Sequence, residues 1–179
     1  MAIGEKIKQI REFRGMTQKS LGIALGYPDN SAPIRIAQYE SNVRVPKEET
    51  IIQISNILNC NPLAIGGKAR NRVEESIEQL FWIENDYGPF VLFPLKAEFS
   101  EQFENKELAH GYCKVSEYLE AQTAITFKPQ TSFLMRAYLS NWEIVNQNFW
   151  MGKISDKDYF EWKITWPDSN TNINKDDGE

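Results

Sequence analysis

The chain is poor in the residues that build metal centres, disulfide frameworks and nucleophilic active sites. Of 179 residues, 2 are cysteine and 1 is histidine. Cys60 and Cys113 stand far apart and outside any CxxC spacing, so neither a disulfide scaffold nor a thiolate zinc site is expected. His110 has no cysteine or histidine near it in sequence and reads as a surface or core residue. The longest apolar runs, such as Phe90-Val91-Leu92-Phe93-Pro94-Leu95, fall far short of the roughly 20 residues a membrane span requires. The N-terminus lacks a continuous apolar stretch and a small-residue cleavage site, so no secretory signal is expected and a reducing cytoplasm is the expected compartment. A Gly-rich phosphate loop, an HExxH, a GxSxG and a recognisable Ser/Lys pair are missing too. The chain therefore reads as no enzyme, with no cofactor and no metal.

Positive charge is also in deficit over the whole chain, because the net charge is -5 and the pI about 5.1. The average hides a split. Residues 1–72 carry 5 Lys and 6 Arg against 6 acids, net +5, and residues 73–179 carry 9 Lys and Arg against 19 acids, net -10. An asymmetry of this kind is a partner signal. With 41% hydrophobic and 12% aromatic residues, the length suits roughly one or two domains of about 100 residues.

The first 65 residues have the rhythm of short helices. Ile3, Ile7, Ile10 and Phe13 recur at helical spacing until Gly15. Thr17 is an N-cap, Leu21, Ala24 and Leu25 form an apolar face, and Gly26 stops the second helix. Tyr27-Pro28-Asp29-Asn30 is turn chemistry, Ser31 an N-cap and Ala32-Pro33 a helix start. Ile36 and Tyr39 then face inward until Asn42, which tolerates the left-handed conformation. After Pro46 comes a helix with Glu48 and Glu49 at its N-terminus and a stripe of Ile51, Ile54, Ile57 and Leu58. Asn61-Pro62 breaks it before a short fifth helix at Leu63-Ala64-Ile65. Gly66-Gly67-Lys68 marks the expected domain boundary.

Beyond it, residues 69–87 read as a helix with Val73, Ile77, Leu80, Phe81 and Glu84 on one face. Residues 105–121 and 130–151 read as helices, and 90–95 and 125–127 as β-prone. Ser155-Asp156-Lys157-Asp158 is capping-box-like and opens a last helix with Tyr159, Phe160 and Trp162. These rings and Trp166 read most simply as core, with a pocket lining or dimer face as the lesser option. The acid pairs Glu74-Glu75 and Asp156/Asp158 read as helix-face and capping charges. The expected class is mainly α: a five-helix domain over 1–67, an acidic, aromatic-rich and mostly helical domain over 68–167 with one or two short strands, and a disordered tail over 168–179.

Met16-Thr17-Gln18-Lys19-Ser20-Leu21-Gly22-Ile23-Ala24-Leu25-Gly26, followed by Ile36-Ala37-Gln38-Tyr39-Glu40-Ser41-Asn42 and Pro46, resembles the helix-turn-helix domain of the Cro/C1-type (XRE) family of bacterial and phage transcription regulators. The resemblance spans residues 3–65 and several features in the right order. It implies a repressor-like regulator that binds double-stranded DNA sequence-specifically, with the third helix in the major groove. Gln18 matches a position that bonds a backbone phosphate and braces a side chain on the third helix, and Lys19 adds charge at that edge. Gln38 matches a base-contacting position, where an amide pairs with adenine. Arg35 is placed to read guanine or clamp a phosphate, and Arg44 matches a loop that meets the backbone. Arg11 and Glu40 match a buried structural ion pair.

This chain departs from the family in the nine residues between Gly26 and Ile36, longer by about one helical turn than usual. Counting back from Ile36, the DNA-facing positions hold Pro33 and Ile34, and Asn30 and Ser31 of the long turn join the candidate contacts. The bland readings are solvated charges for Lys19, Arg35 and Arg44, a plain exposed residue for Gln38, and turn and cap roles for Asn30 and Ser31. A homodimer is expected, since one such domain buries little surface. Residues 68–167 resemble no nameable domain and are open to dimerisation, small-molecule sensing or binding of a partner protein, as in an antitoxin or a mobile-element repressor.

Overall fold

Helices closed by left-handed residues set the architecture of the computed structural model, which describes residues 1–88 and 133–169. α1 (Ile3–Phe13), α2 (Gln18–Ala24), α3 (Ala32–Glu40) and α4 (Glu48–Leu58) follow one another with short turns, and a 3-10 turn, Pro62–Ile65, closes the series. α5 (Arg72–Tyr87), α6 (Phe133–Trp150) and α7 (Asp156–Thr165) complete seven α-helices among the described residues, with no strand there. The segments 90–95, 105–121 and 125–127, together with Cys113 and His110, lie outside the described residues.

The helix ends share one device. Gly15 and Gly26 take φ of 67° and 84°, so that Met16 N–H reaches Arg11 O at 3.0 Å and Tyr27 N–H reaches Gly22 O at 3.0 Å. These bonds use carbonyls that the last turn would leave unpaired. Asn59 does the same for α4 at φ 48°, with Cys60 N–H on Ser55 O at 3.0 Å. At the start of α2, Thr17 Oγ1 accepts from Ser20 N–H at 3.0 Å, and Ser20 Oγ accepts from Thr17 N–H at 2.9 Å. Ser31 makes no such cap, and its hydroxyl donates back to Pro28 O at 3.2 Å. The 62–65 segment is 3-10 and not α, because Asn61 Oδ1 accepts from Leu63 N–H at 2.9 Å and only four residues separate Asn61 from Gly66.

Ile7, Ile10, Leu21, Ile36, Ile54 and Leu58 form the buried centre. Ala24, expected on the inner face of α2, is exposed, and Leu25 and Ile57 are half-buried. Gly22 takes the inner position instead, for the close approach of α3 described below.

The same core continues past Gly66-Gly67-Lys68, where the sequence suggests a boundary. Among the described residues, one compact unit holds 1–88 and 148–169, and residues 133–147 belong to another. In the first, Trp82 of α5 and Ile164 of α7 belong to the cluster around Ile7 and Leu58, and Phe13 meets Phe160 edge-on at 4.8 Å. Asn61 N–H donates to Ile164 O at 2.8 Å. Arg14 pairs with Glu161 and caps Leu58 O and Asn59 O, each at 2.6 Å. Asp168 accepts from Asn61 Nδ2 at 2.8 Å and Arg70 Nη2 at 2.7 Å, and residues 170–179 of the expected tail lie outside the described residues.

α5 buries Ile77, Phe81 and Glu84 of the face its apolar pattern suggests, and broadens it with further acids and Trp82. Ile77, Phe81, Trp82 and the acids Glu74, Glu78 and Glu84 are inside, while Val73 and Leu80 are half-buried. Cationic partners draw the acids inward: Lys6 Nζ lies 2.7 Å from Glu78 Oε1, and Lys163 Nζ 3.1 Å from Glu84 Oε2, to which Tyr159 also donates. Glu74, expected on the surface, is buried, and Arg70 N–H donates to it at 2.9 Å. Asp158 does cap α7, accepting from Ser155 N–H at 3.2 Å and Ser155 Oγ–H at 2.6 Å, and the hydroxyl bond holds its carboxyl below the usual value. Tyr159, Trp162 and Trp166 are buried. In the second unit, residues 133–147 of α6 carry Trp142 and Val145 buried at helical spacing, with Gln147 Nε2 on Glu143 Oε1 at 3.0 Å.

Candidate nucleic-acid interface

α2 and α3 cross where the side chains are smallest. A Cβ on Gly22 would sit 2.6 Å from Ala32 O and 2.7 Å from Ala32 Cβ, so glycine is what lets the N-terminus of α3 seat against α2. The other end of α3 is held by α1. Asn42, at φ 58°, closes the helix, and its side-chain Oδ1 accepts from Gly4 N–H at 2.9 Å, satisfying an amide that the first turn of α1 leaves open. A Cβ on Gly4 would lie 2.2 Å from Tyr39 O and 2.6 Å from Glu40 O. α3 is therefore fixed at both ends by backbone approaches that only glycine permits.

Its last residue is also fixed by charge. Arg11 Nε donates to Glu40 Oε1 at 2.5 Å and Nη2 to Oε2 at 3.1 Å, while Nη1 caps Met16 O at 2.6 Å. Both side chains are buried, at 8% and 4% exposure. The Glu40 carboxylate holds the guanidinium above its ordinary value. Gln18 Nε2 donates to Glu40 Oε2 at 2.8 Å, so the first residue of α2 is tied to the last residue of α3 through the same carboxylate. These bonds orient α2 and α3 as one piece.

Burial then sorts the faces of α3. Ala32, Ile36, Tyr39 and Glu40 are inside, Ile34 is 58% exposed, and Gln38 is half-buried one turn further on. Arg35 lies with its guanidinium 5.7 Å from the centre of the Tyr27 ring, and Tyr27 and Tyr39 share a hydroxyl hydrogen bond at 3.2 Å. That bond, with burial second, pushes the Tyr27 phenol above its ordinary value. Tyr27 belongs to the lengthened turn, whose Ser31 and Ala32 N–H groups both donate to Pro28 O, at 2.9 and 2.8 Å. The extra residues thus build a one-turn platform under Arg35 and leave the start of α3 at Ala32.

The remaining candidates surround this helix. Asn30 is exposed and Ser31 half-buried. Lys19 Nζ pairs with Asp29 Oδ2 at 2.8 Å on the surface, which partly offsets its charge. Arg44 is exposed in the turn after α3, its N–H bonded to Gln38 O at 3.0 Å, and Lys47 is exposed at the start of α4. Cationic groups from α2, α3 and the 41–47 segment therefore frame an α3 face that ends in an aliphatic side chain and an amide.

Asn42 closes α3 as its residue type suggests, but its bond to Gly4 and the roles of Tyr27, Gly4 and Gly22 escape a reading by residue type, because they depend on what lies opposite. A glycine inside an otherwise regular helix is the one legible sign, and Gly22 carries it. Among the described residues no cluster of His, Cys, Asp or Glu is able to hold a metal ion, and no helix is long and apolar enough to cross a membrane. Much of 68–167, where sensing or partner binding was expected, lies outside the described residues. Residues 7–65 match a family model described as helix-turn-helix. No curated protein and no solved structure matches the chain.

Proposed function

From residues 7–65 being a Cro/C1-type helix-turn-helix domain, and the protein a DNA-binding regulator of that general kind, we propose that it acts in the cytoplasm as a sequence-specific, repressor-like regulator, bound to its operator as a homodimer. The observation that carries this reading is the outward face of α3. Ile34 and Gln38 present groove-reading chemistry, flanked by Arg35 and Arg44, on a helix anchored at both ends and through Glu40. A pre-set helix loses little conformational entropy on entering the major groove.

The candidate contacts divide by chemistry. Gln38 reads a base edge, and Arg35, braced on Tyr27, reads a base or grips the phosphate beside it. Arg44, Lys19, Asn30 and Ser31 serve the backbone, which positions the domain without carrying sequence information. Gln18 has its amide nitrogen on Glu40, so its contribution is the alignment of the α2 N-terminus. One such domain buries only about 600–1,000 Å², which favours two copies on repeated half-sites. Occupying the operator is enough to repress, and needs nothing from the domain beyond binding.

Selection of bound sequences from a random duplex pool tests the proposal. An enriched, repeated motif is expected. Arg35→Ala and Gln38→Ala should each weaken the enriched site by about 1–3 kcal/mol and leave random DNA less affected. Arg44→Ala should weaken all sequences alike and reduce the salt slope by about 1. Retention of DNA without any enriched motif would refute sequence-specific regulation.

A further inference from the structure

The most exposed side chain of α3 is aliphatic. Ile34 is 58% exposed and shares a helical face with Gln38 one turn later, while the opposite stripe of Ala32, Ile36 and Tyr39 is buried. No packing need accounts for isoleucine at this position, and the flanking Arg35 and Arg44 make the surface one that a polyanion approaches.

Resting on the DNA-binding reading above, we infer that Ile34 reads the 5-methyl group of thymine, and that the half-site places a thymine under Ile34 and an adenine under Gln38. Hydrogen-bonding groups dominate the major-groove edges of the bases, and the thymine methyl is the one apolar substituent among them. Against any other edge, an isoleucine strips water from a donor or acceptor and returns no bond, so those bases are penalised. Gln38 meets the opposite requirement, its amide pairing with the donor and acceptor of adenine. The two side chains stand four positions apart, about 6 Å along the helix axis, roughly two base-pair steps. The half-site should therefore hold A·T pairs about two steps apart, with Arg35 acting on the neighbouring guanine or phosphate.

The experiment uses the full chain and the sequence enriched from the random pool. Each thymidine of the half-site is replaced in turn by deoxyuridine, which removes the methyl and leaves the hydrogen-bonding edge intact. One position should lose about fourfold in affinity, the value expected when a group worth ~0.8 kcal/mol leaves an apolar contact. The same replacement should have no effect on Ile34→Ala, which is expected to melt with the parent because the side chain lies outside the core. The measurement on the unmodified protein needs no variant, and Ile34→Val, with a smaller loss at the same position, guards against a folding defect in the alanine form. An enriched site indifferent to deoxyuridine, or a methyl effect that persists in Ile34→Ala, overturns the thymine contact and leaves DNA binding standing. A pool that yields no enriched site overturns the DNA-binding reading itself.

Discussion

Replacing Arg11 by alanine tests how α3 is held. The guanidinium makes two bonds to Glu40, at 2.5 and 3.1 Å, and one to Met16 O at 2.6 Å. With the side chains 8% and 4% exposed, the pair belongs to the buried class and escapes the discount that solvent imposes on surface pairs. Arg11→Ala leaves Glu40 inside the domain with the Gln18 amide as its remaining donor among these groups, and removal of one buried partner costs about 3–5 kcal/mol. For a chain of this length that is a fall in melting temperature on the order of 6–20 °C. Two further measurements separate the charge from the volume. Arg11→Met with Glu40→Leu should recover most of the loss, because an apolar pair of similar size avoids desolvation. DNA affinity of Arg11→Ala, measured below its own melting transition, should also drop, since Gln18 and α3 share Glu40. The guanidinium is held above its ordinary value by its bond to Glu40, so this stabilisation is complete across the working pH range and fades only at extreme alkaline pH. Urea or thermal midpoints unchanged in Arg11→Ala would refute the reasoning.

Two other perturbations probe separate joints. Gly22→Ala puts a methyl 2.6 Å from Ala32 O, so α2 and α3 must part, and a loss of about 1–3 kcal/mol with weakened DNA binding is expected by urea titration; a silent Gly22→Ala would contradict the close crossing. Glu78 behaves differently, because burial lifts its carboxyl above the ordinary 4.5 in spite of Lys6 at 2.7 Å. An acid whose folded value is raised contributes stability that is present below about pH 4.5 and is lost as pH rises through the folded value. Glu78→Gln should therefore match the parent at acid pH and become the more stable of the two towards neutrality. A parent that instead gained on the variant over that range would show that Lys6 outweighs the desolvation.

Much of the helix-turn-helix domain is legible in the sequence because its signals are local. Gly15, Gly26 and Asn42 end helices where their backbones turn left-handed, and Thr17 caps α2 with a hydroxyl three residues from the amide it satisfies. Ile7, Ile10, Ile36 and Ile54 announce their burial by period alone. Ala24 misleads because a small apolar residue fits the period of α2 as well as its solvent side. α5 misleads more, since the reading puts Glu84 on the apolar face but leaves Glu74 on the surface, and Glu74 and Glu78 are inside as well. Nothing near them in sequence carries the cations that pair with Glu78 and Glu84: Lys6 lies 72 residues away and Lys163 lies 79.

The negative total of -5 conceals a cationic N-terminal part, and that partition, the helix order and the identity of the α3 residues follow from the sequence by itself. Whether the N-terminal helices stand alone does not. Trp82 and Ile164 complete the core around Ile7 and Leu58, and Arg14 reaches Glu161 across 147 residues. Only the tertiary structure decides this, because burial, and the pairing that makes a buried charge tolerable, depends on which surfaces meet. Pattern along one helix can name a face. It takes the neighbouring helix to say what that face touches.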